Sequence, residues 1–343
     1  MTATPGWMRV ALRSRQFTAT VRIVIGLGVL AAVIATVGTA PLLHGIQSVD
    51  TRSIVAALVL AALATAAAAW RWRVIAGRLG VELTWGMAFG KYYQSQFLNT
   101  VIPGGIVGDV HRAVGDTVTA ASVARNARAV VLERTVGQAV QVCLALLVFA
   151  LVGTQFQGYL ASALLLGVGL VAAALATVAA SSVRARAALR REALHLRQGL
   201  GSPRTAVHVV LASLVVIACH VGTFALATAA IGVNVTPDRM LVLALVVLLG
   251  ASISLNAGGW GPREGVAGWA FAVAGLGAAT GVAASTVFGI LTTVSVLPGA
   301  IAMVVFAVSR RRSARSEPAD RTRPDRRTAP VIPLVAVDLE KSP

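Results

Sequence analysis

Charged and amide side chains interrupt an otherwise apolar chain at three places, and their types suit the binding of an anion. They occur in residues 84–112, at positions 133–134 and in residues 254–265. The charged and amide side chains singled out there are Lys91, Asn99, Asp109, Arg112, Glu133, Arg134, Asn256, Arg263 and Glu264. A guanidinium group binds two phosphate oxygens at once, and a carboxylate can hold such a group in position. These residues therefore predict a phosphate or lipid-headgroup site.

The first stretch has the periodicity of an amphipathic helix. One face, at about 100° per residue, holds Phe89, Tyr93 and Phe97. The face about 200° away holds Lys91, Ser95 and Asn99. A helix with two such faces presents its polar side to protein or water rather than to lipid.

This helix should end at Ile102-Pro103-Gly104-Gly105 and a second short helix should begin near Gly108. Proline disfavours the helical conformation at the preceding residue, and glycine leaves the backbone free. Non-helical backbone inside a membrane needs a cavity or protein to satisfy its amides, and free amides at a helix start attract anions. The alternative is a cytosolic loop with an ordinary Pro-Gly turn.

A second interruption follows the apolar run 240–255. Its glycines Gly258, Gly259 and Gly261 come after Asn256 and before Arg263-Glu264. Interrupted helices at corresponding places in two halves of a chain indicate a transporter's binding site. The alternative is coincidence among 33 glycines. Four predicted spans separate the two interruptions, so both should open on the same side, which argues against an inverted repeat.

Glu133 and Arg134 are adjacent, so they point about 100° apart on a helix and each needs another partner. Charges within a membrane usually face the interior of the bundle. One interpretation pairs Glu133 with Arg112 or Arg263 and leaves Arg134 to face a lipid phosphate. The alternative is that both side chains snorkel to the cytoplasmic surface, because they lie near the start of their predicted span.

The composition predicts an all-α polytopic membrane protein. The 343 residues are 57% hydrophobic and 13% charged, with a mean hydropathy of +0.79, which excludes a soluble globular domain. The formal net charge of +17 comes mainly from arginines that flank apolar runs, so orientation and anionic lipids explain it better than nucleic acid does. Both cysteines lie in apolar runs and predict neither a disulfide nor a zinc site.

We expect about eight spans and one re-entrant segment. The apolar runs are residues 23–43, 54–70, 129–152, 159–183, 206–231, 240–255, 266–281 and 283–309. Arginines follow the second span and dominate residues 184–204, which places these segments and both termini in the cytoplasm. Residues 184–204 form either a basic helix along the membrane or a solvated loop.

Three regions follow from these patterns. Residues 1–22 form a cytoplasmic segment, residues 23–309 a transmembrane domain, and the Pro- and Arg-rich residues 310–343 a disordered cytoplasmic tail. The bias towards Arg, Ala, Gly and Val suggests a bacterial protein of the cytoplasmic membrane. No nucleophile, phosphate-loop or metal-cluster motif occurs, so we expect no metal and no cofactor.

The ordered motifs resemble the transmembrane flippase-like domain of lysylphosphatidylglycerol synthases and its stand-alone relatives. The likeness lies in N-x-x-x-P-G-G-x-x-G-D-x-x-R from Asn99 to Arg112, then Glu133-Arg134, then Gly258-Gly259-Trp260-Gly261 before Glu264, and covers about residues 20–310. A proline often precedes the second glycine cluster in this family, whereas this chain reads SISLNAGGWG. Residues after Arg312 are too few for the aminoacyl-transfer domain of bifunctional members, so that activity is not implied.

The resemblance implies a polytopic lipid translocator or a partner of lipid-linked glycan assembly. We expect an anionic phospholipid or a polyprenyl-phosphate-linked headgroup to bind between the two interrupted segments.

One alternative is a scaffold for a membrane glycosyltransferase, docked through residues 184–204. Another is a lipid-phosphate transferase or phosphatase with Asp109 or Glu133 as acid or base. The site residues are Lys91, Asn99, Pro103, Gly104, Gly105, Gly108, Asp109, Arg112, Glu133, Arg134, Asn256, Gly258, Gly259, Gly261, Arg263 and Glu264.

Overall fold

A computed structural model describes most of residues 34–305. The described residues are 28, 31–32, 34–102, 105–114, 120–152, isolated positions in 158–181, 182–252 and 261–305. The predicted terminal segments 1–22 and 310–343, most of the predicted span 159–183, and Pro103, Gly104, Asn256, Gly258 and Gly259 lie outside them. Residues 1–303 form one unit; the second unit begins at Val304, and only its first two residues are described.

The described residues form helices and contain no strand, and the chain is an all-α membrane protein. The helices are α1 (Ala40–Gln47), α2 (Thr51–Arg78), α3 (Trp85–Val101), α4 (Val107–Val114), α5 (Ala120–Val152), α6 (Val183–Leu200), α7 (Pro203–Ala230), α8 (Pro237–Ala251), α9 (Pro262–Val273) and α10 (Ala278–Ser295). Four helical stretches are long and apolar enough to cross a membrane: Thr51–Arg78, Ala121–Val152, Pro203–Ala230 and Ala278–Val305. The expected number of about eight spans is not confirmed.

The long helices α2 and α7 pack against each other in antiparallel directions. Arg71 contacts Ser213 near the end of α2 and the start of α7, whereas Leu60 packs on Gly222 farther along the pair. The end of α2 and the end of α7 therefore lie at opposite ends of the bundle. Small residues at such interfaces let helices approach closely. Close packing matters in a membrane because apolar side chains gain no hydrophobic free energy when they exchange lipid for protein.

A helical hairpin, α3 and α4, follows the end of α2. Ile102 is extended before Pro103 (ψ 124°), and Gly105 adopts a left-handed φ of 62°, so the chain turns back. The predicted helix end and restart are confirmed. At 1.5 Å per residue, α3 is about 26 Å long and α4 about 12 Å, both shorter than the hydrocarbon thickness of about 30 Å.

A second hairpin, α8 and α9, follows the end of α7. Gly250 packs on Val266, and the Arg239 guanidinium donates to the carbonyl of Ala274 at 2.8 Å. These helices are only about 22 and 18 Å long. Since α2 and α7 are antiparallel, the two hairpins enter the bundle from opposite ends. The prediction that both interruptions open on one side is therefore wrong, because it treated α8 and α9 as full spans.

Several predicted helix boundaries are also wrong. The run 23–43 is interrupted within its described part at Gly38, where φ is 86°, and α1 begins two residues later. The run 266–281 is divided between α9 and α10, because Gly275 and Gly277 have φ of 75° and 86°.

Helix α5 begins at Ala120 instead of Ala129. Most of residues 184–204 form a helix, α6, which excludes the solvated-loop interpretation.

Candidate functional site

The polar face of α3 holds Asp109 at the start of α4. Ser95 Oγ and Asn99 Nδ2 donate to the Asp109 carboxylate at 3.2 and 3.3 Å. Asn99 Oδ1 accepts a 2.7 Å bond from the Gly108 amide. Gly108 itself lies against the backbone of Ser95, where a Cβ atom would overlap it. This amide near the start of α4 is thus already bonded to Asn99.

Glu133 is the centre of a buried hydrogen-bond network. Its side chain has no solvent exposure. One carboxylate oxygen accepts bonds from Arg71 Nε at 3.0 Å, from Arg71 Nη2, and from the Tyr92 hydroxyl at 3.1 Å. The other accepts from Arg112 Nη2 at 3.0 Å. A fully buried carboxylate needs such pairing, since an isolated charge in an apolar interior is very costly.

The Arg112 guanidinium lies between two aromatic rings. Its Cζ atom is 4.7 Å from the centre of the Trp72 ring and 4.4 Å from that of Tyr92, distances at which a cation is attracted to a ring face. Nη2 donates to both Asp109 and Glu133. Its Nε and Nη1 atoms are buried without a hydrogen-bond partner among the described residues. Aromatic contact and two carboxylates therefore hold this charge in place.

Arg134 extends from the same helix as Glu133 in a different direction. Its Nη2 atom pairs with Asp109 at 2.7 Å, while half of its side chain remains exposed. The network thus joins three guanidinium groups, those of Arg71, Arg112 and Arg134, to two carboxylates. Its formal net charge is positive, and Arg134 is the member with the most accessible side chain.

A cavity of about 300 Å³ adjoins this network, and we call it the network cavity. Charged groups of Arg71, Glu133 and Arg134 line it together with hydroxyl, amide and imidazole side chains. Its polar lining residues are Arg71, Tyr92, Gln96, Glu133, Arg134, Gln138, Gln141, Ser213, His220 and Ser252. Because polar groups face this cavity between apolar helices, the network cavity is the candidate functional site.

The second hairpin has its own ion pair, at the start of α9. Glu264 accepts from Arg263 Nε at 3.0 Å and from Ser285 Oγ at 3.2 Å. Its other oxygen accepts the Gly261 amide at 2.7 Å, which caps α9. Gly289 packs directly on the Arg263 guanidinium. The predicted pairing of Glu133 with Arg263 is wrong, whereas its pairing with Arg112 is present.

The snorkelling interpretation is wrong for Glu133. Because α5 begins at Ala120, Glu133 lies about 20 Å along that helix, and its carboxylate is fully buried. Of the remaining predicted site residues, Gly105 forms the turn between α3 and α4, and Lys91 is half-buried on α3. Three other residues of α3, Tyr92, Ser95 and Asn99, donate hydrogen bonds to carboxylates of the network.

Sequence reasoning missed Arg71, Trp72 and Tyr92 as members of the network. The sequence identifies Arg71 only as one of the arginines that follow the second predicted span and mark its orientation, because it lies near the end of an apolar run. The available signal was the order Trp70-Arg71-Trp72-Arg73. In the structure Arg71 and Trp72 are buried, whereas Arg73 lies over the ring of the half-exposed Trp70. Alternating aromatic and basic residues on a helix thus divide between its inner and outer faces.

Comparison with family models shows a match over residues 20–299 to the lysylphosphatidylglycerol synthase TM region. The chain belongs to this family. Neither the curated proteins nor the solved structures include a significant match. The match to the lysylphosphatidylglycerol synthase TM region contains both hairpins, the Glu133 network and the Arg263–Glu264 pair. The family resemblance drawn from the motifs is therefore confirmed.

Proposed function

We propose that this protein binds the headgroup of an anionic lipid in the network cavity and helps that lipid cross the membrane. The observation that carries the proposal is the half-exposed Arg134 beside a polar cavity whose network has an excess of one guanidinium group. An arginine fork binds phosphate oxygens in pairs, and the low dielectric of a helix bundle strengthens the attraction. The ligand class is a phospholipid or a polyprenyl-phosphate-linked glycan.

The size and position of the cavity support a headgroup rather than a whole lipid. About 300 Å³ accommodates a small polar group, while acyl or prenyl chains stay in the surrounding bilayer. Hairpins that enter from opposite ends are the arrangement in which transporters place their sites between two repeats. In this view Asp109 and Glu133 position arginines, and Arg134 contacts the phosphate.

The test compares Arg134→Gln with Arg128→Gln in protein purified with its native lipids. Arg128 is the matched control, because it lies on the same helix and pairs with Glu192 on the exposed surface at 3.2 Å. Mass spectrometry should find one anionic lipid enriched with the wild type and with Arg128→Gln, and severalfold depleted with Arg134→Gln. A lipid profile that is the same in all three proteins contradicts headgroup binding.

A second experiment measures movement. The protein is reconstituted in vesicles that contain a fluorescent phosphatidylglycerol, and the accessibility of the dye to a membrane-impermeant quencher is followed. The wild type and Arg128→Gln should increase the exchange of dye between leaflets, and Arg134→Gln should not. If the wild type binds lipid but does not increase the exchange of dye between leaflets, the protein binds lipid without translocating it.

The exposed basic helix α6 favours a second candidate, a scaffold for a membrane glycosyltransferase. Arg186, Arg190 and Arg191 are exposed on it, and it packs against α2, α5 and α7. Charge reversal of these three arginines should abolish co-purification of such a partner but leave bound lipid unchanged. Loss of bound lipid without loss of a partner would contradict the scaffold.

A further inference from the structure

A second, smaller cavity lies next to the network cavity along the α2–α7 pair. It has a volume of about 60 Å³, which is room for about two waters at roughly 30 Å³ each. Its polar lining consists of Thr65, Gln96, Cys219, His220, Thr223, Thr292 and Ser295. We call it the serine cavity. It is too small for a lipid headgroup, and no carboxylate lines it among the described residues.

Ser295 gives this cavity an unsatisfied polar group. Its side chain is only 2% exposed, and its Oγ atom has no hydrogen-bond partner among the described residues. Buried hydroxyls are nearly always hydrogen-bonded to protein or to water. Thr292 donates to the carbonyls of Phe288 and Gly289 at 2.8 and 3.0 Å and keeps acceptor capacity. The cavity is thus suited to hold water.

The two cavities meet at His220. Ala64, Gln96 and His220 line both of them. On α2 the combined lining runs from Ala57 to Arg71, about 21 Å along the helix axis and most of the hydrocarbon thickness of about 30 Å. The His220 Nδ1 atom lies 2.7 Å from the carbonyl of Val216. A carbonyl only accepts, so Nδ1 carries a proton and Nε2 of the neutral ring is a proton acceptor.

We propose that the two cavities form one hydrated pathway for protons, with His220 as the relay at their junction. Nε2 accepts a proton from water in the serine cavity to give an imidazolium that keeps its Nδ1 bond to Val216. It then returns that proton to water in the network cavity. One proton enters and one leaves, and no other group is consumed.

The charges that face His220 predict when the pathway conducts. The network cavity presents Arg71 and Arg134 against Glu133, together with the Tyr92 hydroxyl, and the serine cavity adds the Cys219 thiol. With Arg112 and Asp109 included, the network has three cations and two anions, and this excess of one positive charge repels an imidazolium. An anion in the network cavity removes this repulsion, so anion and proton favour each other's binding. This dependence rests on the proposed headgroup binding, whereas the pathway itself does not.

The test measures proton entry into vesicles of phosphatidylcholine and phosphatidylglycerol that contain the full chain and a trapped pH-sensitive dye, driven by a potassium diffusion potential. The wild type should conduct protons above protein-free vesicles. His220→Gln should reduce that flux to the protein-free level, because an amide does not titrate. His208→Gln is the matched control, since His208 lies on the same helix against the ring of Trp70, and it should conduct like the wild type.

Ser295→Val provides a second variant that fills the serine cavity without altering His220, and it should lower the flux severalfold. Thermal unfolding of each purified variant in detergent shows whether it is folded. Wild-type flux no greater than that of protein-free vesicles overturns the proposal, as does equal flux in folded His220→Gln. Bound lipid measured on the same samples tests headgroup binding separately, so failure of one proposal is distinguishable from failure of the other.

Discussion

At the scale of single residues, the Glu133 network explains how a membrane bundle retains buried charge. The carboxylate is shared by two arginines and a tyrosine hydroxyl, and the more deeply buried of the two arginines, Arg112, lies between aromatic rings. Removing one partner leaves another charge unpaired in a low dielectric. Each arginine is therefore a structural requirement for the network, whatever else it binds.

Arg71→Ala should lower the free energy of unfolding by about 3–5 kcal/mol, because it leaves a fully buried carboxylate short of a partner. Arg78→Ala, at the exposed end of the same helix, should change it by less than about 0.5 kcal/mol. Thermal unfolding in detergent measures both. The double variant Arg71→Met, Glu133→Gln should recover part of the loss. Equal stability of Arg71→Ala and Arg78→Ala would contradict the network's structural role.

At the scale of the helical element, the first hairpin depends on close contact between α3 and α4. The Gly108 amide bonds to Asn99, and its Cα atom approaches the Ser95 backbone too closely for a side chain. This approach places Asp109 beside both Arg112 and Arg134. The glycine therefore positions the carboxylate on which the exposed arginine depends.

Gly108→Ala should destabilise the protein by about 1–3 kcal/mol, because the added methyl group overlaps the Ser95 carbonyl. It should also reduce lipid retention, because Asp109 moves away from Arg134. Gly86→Ala is the control on α3, where a Cβ atom meets open space, and it should be neutral or slightly stabilising. Unfolding and lipid mass spectrometry check both variants. A Gly108→Ala protein that matches Gly86→Ala would show that α4 has room to move.

At the scale of the whole molecule, two similar arrangements occur in opposite directions. Helix α2 is followed by the α3–α4 hairpin and then by α5; helix α7 is followed by the α8–α9 hairpin and then by α10. An arginine–glutamate pair involves the second arm of each hairpin. Because α2 and α7 are antiparallel, the α3–α4 and α8–α9 hairpins approach the middle of the bundle from opposite ends. The proposed translocation requires an arrangement of this kind, with inverted repeats on either side of one site.

This arrangement predicts that the turn before each hairpin lies on a different side of the membrane. With Cys143 and Cys219 replaced by alanine, single cysteines are introduced as Glu82→Cys before α3 and Asn234→Cys before α8, both at exposed positions. A membrane-impermeant maleimide should label Asn234→Cys in intact cells and Glu82→Cys only after the membrane is opened, because arginines are concentrated near Glu82. Labelling of both from the same side would contradict the inverted arrangement.

The sequence by itself determined the fold class and the break between α3 and α4. Composition required membrane helices, and Pro103 with Gly105 required a break, because both effects act within a few residues of backbone. The amphipathic pattern also placed Ser95 and Asn99 on one face, where both now bond to Asp109. The family followed from the order of the motifs.

Only the tertiary structure decided which charges meet and from which side each hairpin enters. Arg71 and Glu133 are 62 residues apart, and either could have paired elsewhere. Their pairing depends on the packing of α2, α3 and α5, and helix periodicity does not determine this packing. The direction of the second hairpin depends on whether α8 and α9 cross the bilayer. Hydropathy gives the length of an apolar run, but it does not locate a turn that divides the run into two shorter helices.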